Sequence, residues 1–204
     1  MAEHQPHITP AQITGLILAG GRGTRMGTVD KGLQAFRGQP MVQHVLARLA
    51  PQVDRVIINA NQNLERYEEF GIPVWPDQIT GYAGPLAGLH AGLSHCETNY
   101  LLTVPCDAPL LPDNLALKLG NALQTDYAEI AMVVTGDEKN PEHQPVFCLM
   151  KKSVLPSLSN YLQQGGRKVD AWAAMQKYIT VYFADAAAFT NINTKEQLQQ
   201  LDIN

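Results

Sequence analysis

A glycine-rich stretch near the start of the chain has residue types suited to binding a polyphosphate. An apolar, strand-forming run over residues 13–18 is followed at once by three glycines in four positions, Gly20, Gly21 and Gly23. Because glycine has no Cβ, the backbone N–H groups of such a segment can come close to phosphate oxygens. The sequence therefore predicts an anion-binding loop at the end of a strand.

Two cations, Arg25 and Lys31, accompany these glycines. Arginine offers a planar fork of donors and lysine a compact charge, and together they suit a triphosphate whose negative charge shifts toward a leaving pyrophosphate. The spacing excludes two common motifs, since a P-loop needs Ser or Thr where Gly32 stands and the dinucleotide fingerprint needs glycine where Met26 stands. The alternative is a glycine-rich turn whose cations are solvated.

Asp107 is the candidate for a metal ligand. It follows an apolar run over residues 100–104 and a Pro-Cys pair. Mg²⁺ in proteins takes one or two carboxylates and leaves its other positions to phosphates and water, so an aspartate at the end of a strand could hold Mg²⁺ against phosphates. The alternative is an aspartate that caps a turn. The neighbouring Cys106 has no recognisable histidine partner and is predicted to be a buried thiol.

These residues need a scaffold, and the hydrophobic pattern indicates one. Strand-like runs alternate with helical segments, which predicts an α/β fold, a single-domain, Rossmann-like three-layer sandwich with a mainly parallel sheet. Two runs, 129–134 and 145–150, predict an antiparallel pair at one edge. Ligands of such sheets bind beyond the carboxyl ends of the strands, so the segments that follow the strands should meet at one rim: residues 20–31, Asn59, Asp77 and Asp107.

The periodicity also predicts individual elements. We expect strands over residues 13–18, 55–59, 72–75, 100–104 and 179–183, and helices over 40–50, 63–70, 84–95, 112–123, 154–163 and 167–175. Pro112 should lie in the first turn of its helix, and Thr194 should begin a last helix in which Gln197 completes a capping box. We predict one domain over residues 13–204, preceded by a flexible polar tail over residues 1–12.

Composition limits the class of protein. The 204 residues are 45% apolar and 17% charged, and no apolar run approaches the roughly 18 residues of a transmembrane helix, which argues against a membrane partner. The net charge of −4 and the lack of a basic run argue against nucleic acid as a partner. Three cysteines without metal-type spacing favour free thiols and a cytoplasmic protein.

The segment LAGGRGTRMGTVDKG resembles the signature loop of the nucleotidyltransferases, and most of all that of the molybdenum cofactor guanylyltransferases, the MobA type. The family pattern has Leu-Ala-Gly-Gly, Arg-Met-Gly and Asp-Lys-Gly, which match residues 18–21, 25–27 and 30–32. The resemblance covers roughly residues 13–201. It departs at Thr28, where close relatives often carry glycine, and the loop over residues 136–143 gives no clear match.

The resemblance implies roles for the residues of a nucleotide site. It makes Asp107 the magnesium ligand, and it implies that GTP is bound by Leu18, Ala19, Gly20, Gly21, Lys31, Asn59, Asp77 and Asp107. Judged from residue types alone, Asn59 and Asp77 could equally belong to turns. In the family, the segment GPLAG over residues 84–88 occurs in the members that use a guanine nucleotide. The alternative interpretation is that its small residues allow a helix to pack tightly on the sheet.

The resemblance also implies an acceptor side, formed by Arg167, Asn191 and Asn193. Two asparagines spaced by one residue would point to the same face of a strand, where they could hold pterin or phosphate groups. The alternative is a helix entry capped by Thr194. Both interpretations stay open at this point.

The activity implied by the resemblance is transfer of GMP from GTP to the phosphate of molybdopterin carrying molybdenum (Mo-molybdopterin), with release of pyrophosphate and Mg²⁺ as the cofactor. Arg25, Lys31 and Asp107 would be the catalytic residues. Other molybdenum cofactor biosynthesis proteins or molybdoenzyme chaperones would be further partners. Two alternatives stay open: a cytidylyl- or sugar-phosphate nucleotidyltransferase with the same loop, and a non-catalytic GTP-binding module.

Overall fold

The computed structural model describes residues 7–21, 30–79, 84–137, 140–192 and 197. Within these ranges the strands are β1 (Ile13–Leu18), β2 (Ala35–Phe36), β3 (Gln39–Pro40), β4 (Arg55–Asn59), β5 (Val74–Trp75), β6 (Tyr100–Pro105), β7 (Ile130–Asp137), β8 (Asn140–Lys151) and β9 (Tyr178–Tyr182). The helices are α1 (Met41–Leu49), α2 (Leu64–Glu68), α3 (Pro85–His95), α4 (Leu115–Thr125), α5 (Leu155–Gln163) and α6 (Val169–Ala173).

Seven of these strands form one sheet in the order β5-β4-β1-β6-β8-β7-β9, and β2 pairs with β3 in a small separate hairpin. Neighbours in the sheet are parallel except around β8, which is antiparallel to both β6 and β7. The predicted antiparallel pair is present as β7 and β8. Its predicted place at the edge of the sheet is wrong, because β9 pairs with β7 in parallel and forms that edge. The predicted α/β class with a mainly parallel sheet is confirmed.

Helices pack against both faces of the sheet through buried apolar side chains, so that the fold has three layers. On one face Ile13 and Ile17 of β1 belong to the same buried cluster as residues of α1 and α4. On the other face Leu16 packs among residues of α3 and α5. A strand that is buried on both faces has a continuous apolar run in its sequence rather than an alternating pattern. This burial explains why β1 could be predicted from its apolar run.

The register aligns the ends of three parallel strands at one rim. Leu18 of β1 lies beside Asn59 of β4 and beside Pro105 of β6. Backbone hydrogen bonds continue this alignment one residue further, from the Ala19 N–H to the Asn59 carbonyl (2.7 Å) and from the Cys106 N–H to the Leu18 carbonyl (3.0 Å). The segments that follow these strands are therefore held side by side, as the sequence predicted.

The start of α4 differs from the prediction, because the helix begins at Leu115 and Pro112 lies ahead of it. The carbonyl oxygen of Pro112 accepts a 2.9 Å hydrogen bond from the Gln52 side chain, and the Leu111 carbonyl accepts one of 3.0 Å from Arg48. These tertiary contacts hold the segment as a turn. The other helices and strands predicted between residues 13 and 183 lie at the predicted places, with ends that differ by a few residues. Thr194, where a last helix was predicted to begin, lies outside the described residues.

The structure describes residues 7–12 of the predicted tail. Ile8 is buried in the cluster that contains α4, and its N–H donates a 3.2 Å hydrogen bond to the side chain of Gln124. These residues thus contact the body of the domain, whereas residues 1–6 lie outside the described ranges. Among the described residues, no helix has the length and apolar character that crossing a bilayer requires.

Candidate active site

A cleft of about 440 Å³ opens at the carboxyl ends of β1, β4 and β6. This size is within the range of pockets that enclose small ligands. Six residues of the predicted nucleotide site line it: Leu18, Gly20, Gly21, Asn59, Asp77 and Asp107. The expectation that residues following separate strands would meet at one rim is confirmed, because parallel strands bring their carboxyl ends to the same edge.

Lys31 and Asp107 form an ion pair on one side of this cleft. The Lys31 Nζ lies 3.1 Å from Asp107 Oδ2, and the two side chains are 22% and 10% exposed. Asp107 follows the end of β6, and its backbone carbonyl accepts a 2.9 Å hydrogen bond from the N–H of Ile192. The two residues are 76 positions apart in the chain, so the pair depends on the tertiary fold.

Asp107 could hold a divalent metal ion only if other ligands of the ion came from the substrate and from water. Among the described residues no group of three or more His, Cys, Asp or Glu side chains could enclose a metal ion. A Mg²⁺ ion commonly takes a single carboxylate when phosphates and water supply its other ligands. The donor set is therefore compatible with a metal ion that is bound together with a phosphate-bearing substrate.

A network of amides and a carboxylate forms the opposite side of the cleft. The Asn59 Nδ2 group donates to Asp77 Oδ1 at 2.9 Å and to the Trp75 carbonyl at 3.1 Å. The Asn61 Nδ2 group donates to Asp77 Oδ2 at 2.9 Å and to the Gly20 carbonyl at 3.1 Å. The Asp77 N–H donates back to Asn61 Oδ1 at 2.9 Å. Both carboxylate oxygens of Asp77 are therefore oriented by amide donors.

Asn61 is a member of this network that the sequence analysis missed. The signal was present, because Asn61 lies only two residues beyond Asn59, in the segment that follows the end of β4. The fit is close, since a Cβ added at Gly20 would lie 2.8 Å from both amides. Glycine at this position allows the loop backbone to lie directly against the network.

The segment over residues 84–88 both lines the cleft and packs tightly on the sheet. Gly84 and Pro85 line the cleft at the start of α3. A Cβ added at Gly88 would collide with side-chain atoms of Leu18 and Asn59, so Gly88 lets α3 pack closely on the ends of β1 and β4. Tight packing here brings the first turn of α3 to the cleft.

A third carboxylate, that of Asp30, precedes Lys31 directly in the chain and was not predicted to have a role. Its Oδ1 accepts a 2.6 Å hydrogen bond from the Tyr67 hydroxyl, and its Oδ2 accepts one of 3.0 Å from Asn63 Nδ2. Tyr67 is fully buried, and burial is the main reason that the pKa of its hydroxyl is raised. The only hint in the sequence was the Asp-Lys-Gly match over residues 30–32.

Cys106 is a buried free thiol, as predicted. Burial raises its pKa well above the ordinary value, with further contributions from the negative charges of Asp107 and Asp30. A thiol in these surroundings stays protonated at neutral pH and is a poor nucleophile. The site therefore offers cations and hydrogen-bond donors rather than an attacking side chain.

The predicted acceptor side is only partly described. Asn191 lines the cleft, whereas Asn193 and the catalytic candidate Arg25 lie outside the described residues. Residues 190–192 are not in a strand, so the argument that two asparagines share one strand face does not apply to them.

Arg167 lies in an exposed segment after α5. It donates hydrogen bonds to the carbonyls of Leu162 (3.2 Å) and Gly166 (2.7 Å), and it is not among the residues that line the cleft.

The three-layer fold, with a cleft at the rim of its sheet, is that of an α/β nucleotidyltransferase. Residues 15–178 match the family model described as a MobA-like NTP transferase domain. The chain belongs to this family, among its molybdenum cofactor guanylyltransferases. A molybdenum cofactor guanylyltransferase of Bordetella petrii is 56% identical over 95% of this chain and 99% of its own length, and one of Ralstonia nicotianae is 56% identical over 95% and 98%.

A solved structure shares the fold. Molybdopterin-guanine dinucleotide biosynthesis protein A from Archaeoglobus fulgidus superposes with a TM-score of 0.73 at 20% sequence identity, covering 93% of this chain and 97% of that one. At this identity the likeness concerns the fold. Nucleotidyltransferases of this kind generally use a divalent metal ion.

Proposed function

We propose that the protein transfers GMP from GTP to the phosphate of Mo-molybdopterin, forming molybdopterin guanine dinucleotide and releasing pyrophosphate. The observation that carries the proposal is the cleft itself, which has the Lys31–Asp107 ion pair on one side and the oriented Asp77 carboxylate on the other. Relatives that are more than half identical to the chain are named molybdenum cofactor guanylyltransferases. A charged side and a hydrogen-bonding side suit a nucleotide, which has a polyanionic end and a neutral base.

In the proposed reaction an oxygen of the acceptor phosphate attacks the α-phosphorus of GTP in line with the departing pyrophosphate. A new P–O bond forms as the bond from the α-phosphorus to the bridging oxygen breaks, and the leaving oxygen takes the electron pair. The protonated thiol of Cys106 takes no part. Positioning and charge neutralisation supply the catalysis, and we assign the neutralisation to Lys31 and Arg25.

We propose Mg²⁺ as the metal ion and Asp107 as the residue that holds it. When bound there, Mg²⁺ would supply positive charge to the phosphate oxygens as negative charge accumulates on the pyrophosphate. Lys31 already balances the charge of Asp107 at 3.1 Å, so the carboxylate is neutralised before a metal ion and a triphosphate arrive. We propose that the Lys31 ammonium group also contacts the phosphates.

For the nucleotide we propose that the backbone of Leu18, Ala19, Gly20 and Gly21 contacts the phosphates and ribose, and that Asn59 and Asp77 contact the base or ribose. Carboxylate oxygens that already accept one hydrogen bond each retain further acceptor capacity. A guanine base presents N–H donors on one edge and could satisfy that capacity. Gly84 and Pro85 offer a surface without bulky side chains against which a flat base can lie.

For the acceptor we propose Arg167, Asn191 and Asn193, of which Asn191 lines the cleft. Delivery partners would be other molybdenum cofactor biosynthesis proteins or molybdoenzyme chaperones. The free, buried cysteines Cys96, Cys106 and Cys148 are compatible with our proposal that the enzyme works in the cytoplasm.

Pyrophosphate release tests the function. The purified protein is incubated with Mg²⁺ and GTP, CTP or ATP, in the absence of an acceptor, with Mo-molybdopterin, or with a sugar phosphate. We expect release with GTP that depends on Mo-molybdopterin. Release with CTP or with a sugar phosphate as acceptor would indicate a cytidylyl or sugar-phosphate enzyme instead, and tight GTP binding without release for any acceptor would indicate a binding module.

A further inference from the structure

The Asp30 carboxylate is held by neutral donors although it is next to a lysine in the chain. Tyr67 donates to Oδ1 at 2.6 Å and Asn63 donates to Oδ2 at 3.0 Å, and both come from or directly precede α2. Hydrogen bonds to a charged acceptor are about twice as strong as neutral ones. With both oxygens engaged in this way, Asp30 is anchored to α2, and the positive charge of Lys31 is directed to Asp107.

The same tyrosine also touches the backbone on the other side of Lys31. A Cβ added at Gly32 would lie 2.5 Å from the Tyr67 hydroxyl oxygen and 3.2 Å from Cys106, so the hydroxyl fits closely against Gly32. The Gly32 carbonyl in turn accepts a 2.9 Å hydrogen bond from the N–H of Val42 at the start of α1. One buried hydroxyl therefore contacts the residues before and after Lys31.

We propose that Tyr67 is a positioning residue for Lys31. Tyr67 would hold the lysine so that its ammonium group lies beside Asp107 and the substrate phosphates. Tyr67 does not touch substrate in this arrangement and acts through Asp30 and Gly32. Without its hydroxyl, a partly buried carboxylate oxygen would lose a donor, and Asp30 would compete with Asp107 and the phosphates for the nearby lysine. The inference rests on the proposed function in one respect, namely that Lys31 contacts the phosphates of the nucleotide.

The raised pKa of Tyr67 agrees with this arrangement, because it keeps the hydroxyl protonated and able to donate across the physiological range. Its principal cause is burial, and the hydrogen bond to the negatively charged Asp30 acts in the same direction. The hydroxyl thus remains a hydrogen-bond donor at every pH at which the enzyme would be assayed.

The test removes the hydroxyl and keeps the ring, in the variant Tyr67→Phe. We expect the dissociation constant for GTP, measured by calorimetry without acceptor, to rise about tenfold, while the constant for guanosine stays within about twofold. We expect kcat/KM for pyrophosphate release to fall by at least the same factor. The matched control is Tyr182→Phe, which also removes a tyrosine hydroxyl that donates to a carbonyl, that of Gly136 at 2.9 Å, on the outer strand β9.

A double-mutant cycle with Lys31→Ala separates positioning from a general loss of stability. If Tyr67 acts through Lys31, adding Tyr67→Phe to Lys31→Ala changes GTP affinity by less than about twofold. Independent effects that multiply in the double variant would overturn the proposal, as would an equal loss of affinity for GTP and guanosine. Because these measurements use binding alone, they remain informative if the wild-type protein binds GTP and shows no transfer, which is the result that would overturn the proposed function.

Asn63→Gly provides a second variant if Tyr67→Phe does not fold. It removes the donor to the other oxygen of Asp30, and glycine tolerates the left-handed backbone of this residue, where φ is 52°. Asn63 is exposed, so folding should be preserved. We expect the same selective loss of GTP affinity over guanosine, about threefold, and unchanged GTP affinity in this folded variant would contradict the anchoring of Lys31 through Asp30.

Discussion

The two sides of the cleft are built from different chemistry. One side, here called the ionic side, consists of Lys31 and Asp107, which face each other at 3.1 Å. The other, here called the amide side, consists of Asn59, Asn61 and Asp77, which are joined by directional hydrogen bonds of 2.9 Å. The ionic side contains two charges that can exchange partners, whereas the amide side holds one carboxylate in a fixed orientation.

This difference indicates how the site would divide its work. An ion pair has weak directional preference, and its strength rises when water is excluded, so the ionic side suits phosphate groups whose charge moves during a reaction. Hydrogen bonds to amides and carboxylates depend on geometry, so the amide side suits recognition of a base or ribose. The following predictions test this division, from the largest expected effect to the smallest.

Asp107→Asn should have the largest effect. The change keeps the size of the side chain and removes the charge that we assign to the metal ion. We expect turnover to fall by at least about 100-fold, as happens when one electrostatic partner of a reaction is deleted, while GTP binding without metal changes little. Steady-state kinetics and calorimetry would measure both, and turnover within about threefold of wild type would rule out Asp107 as the metal ligand.

Lys31→Ala should follow, with an effect confined to the phosphate end of the nucleotide. We expect GTP affinity to fall by about 10- to 100-fold and guanosine affinity to stay within about twofold, because a charge-assisted contact to phosphate is lost. Lys152→Ala is the matched control, since this exposed lysine follows the opposite end of the sheet. Equal weakening of GTP and guanosine would show that the ionic side also serves the base.

Asp77→Asn should show the reverse pattern on the amide side. An amide in place of the carboxylate would turn an N–H group toward one of the asparagine donors, and we expect GTP and guanosine affinities to fall together by about tenfold. Asp113→Asn is the control, because this exposed aspartate forms a surface ion pair with Arg48, and such pairs contribute little. A loss confined to GTP would place Asp77 at the phosphates and break the division.

Asn193→Ala should have the smallest effect, because the change removes one neutral hydrogen-bonding group that we assign to the acceptor. We expect the concentration of Mo-molybdopterin needed for half-maximal rate to rise about fivefold, which corresponds to a hydrogen bond of about 1 kcal/mol, with GTP affinity within about twofold. The capping alternative instead predicts a lower melting temperature with both affinities unchanged. A melting curve recorded beside the two titrations distinguishes these outcomes.

Much of the fold could be predicted because its signals are local. The strands predicted over residues 13–18, 55–59 and 100–104 match β1, β4 and β6 within one residue, since a short apolar run between polar segments encodes a buried strand by itself. The place of β8 between β6 and β7 had no such signal. Strand order depends on which edge is available when the strands meet, and this is a property of the assembled sheet.

The candidate site divides in the same way. The sequence by itself determined which segments reach the rim and which chemical groups they bring, because strand ends, glycines and charged residues are visible in a local pattern. Only the tertiary structure decided that Lys31 pairs with Asp107, that Asn61 orients Asp77 and that Tyr67 anchors Asp30. These partners are 76, 16 and 37 residues apart. Which side chains meet across such separations depends on the packing of whole elements against one another, and no local propensity encodes that packing.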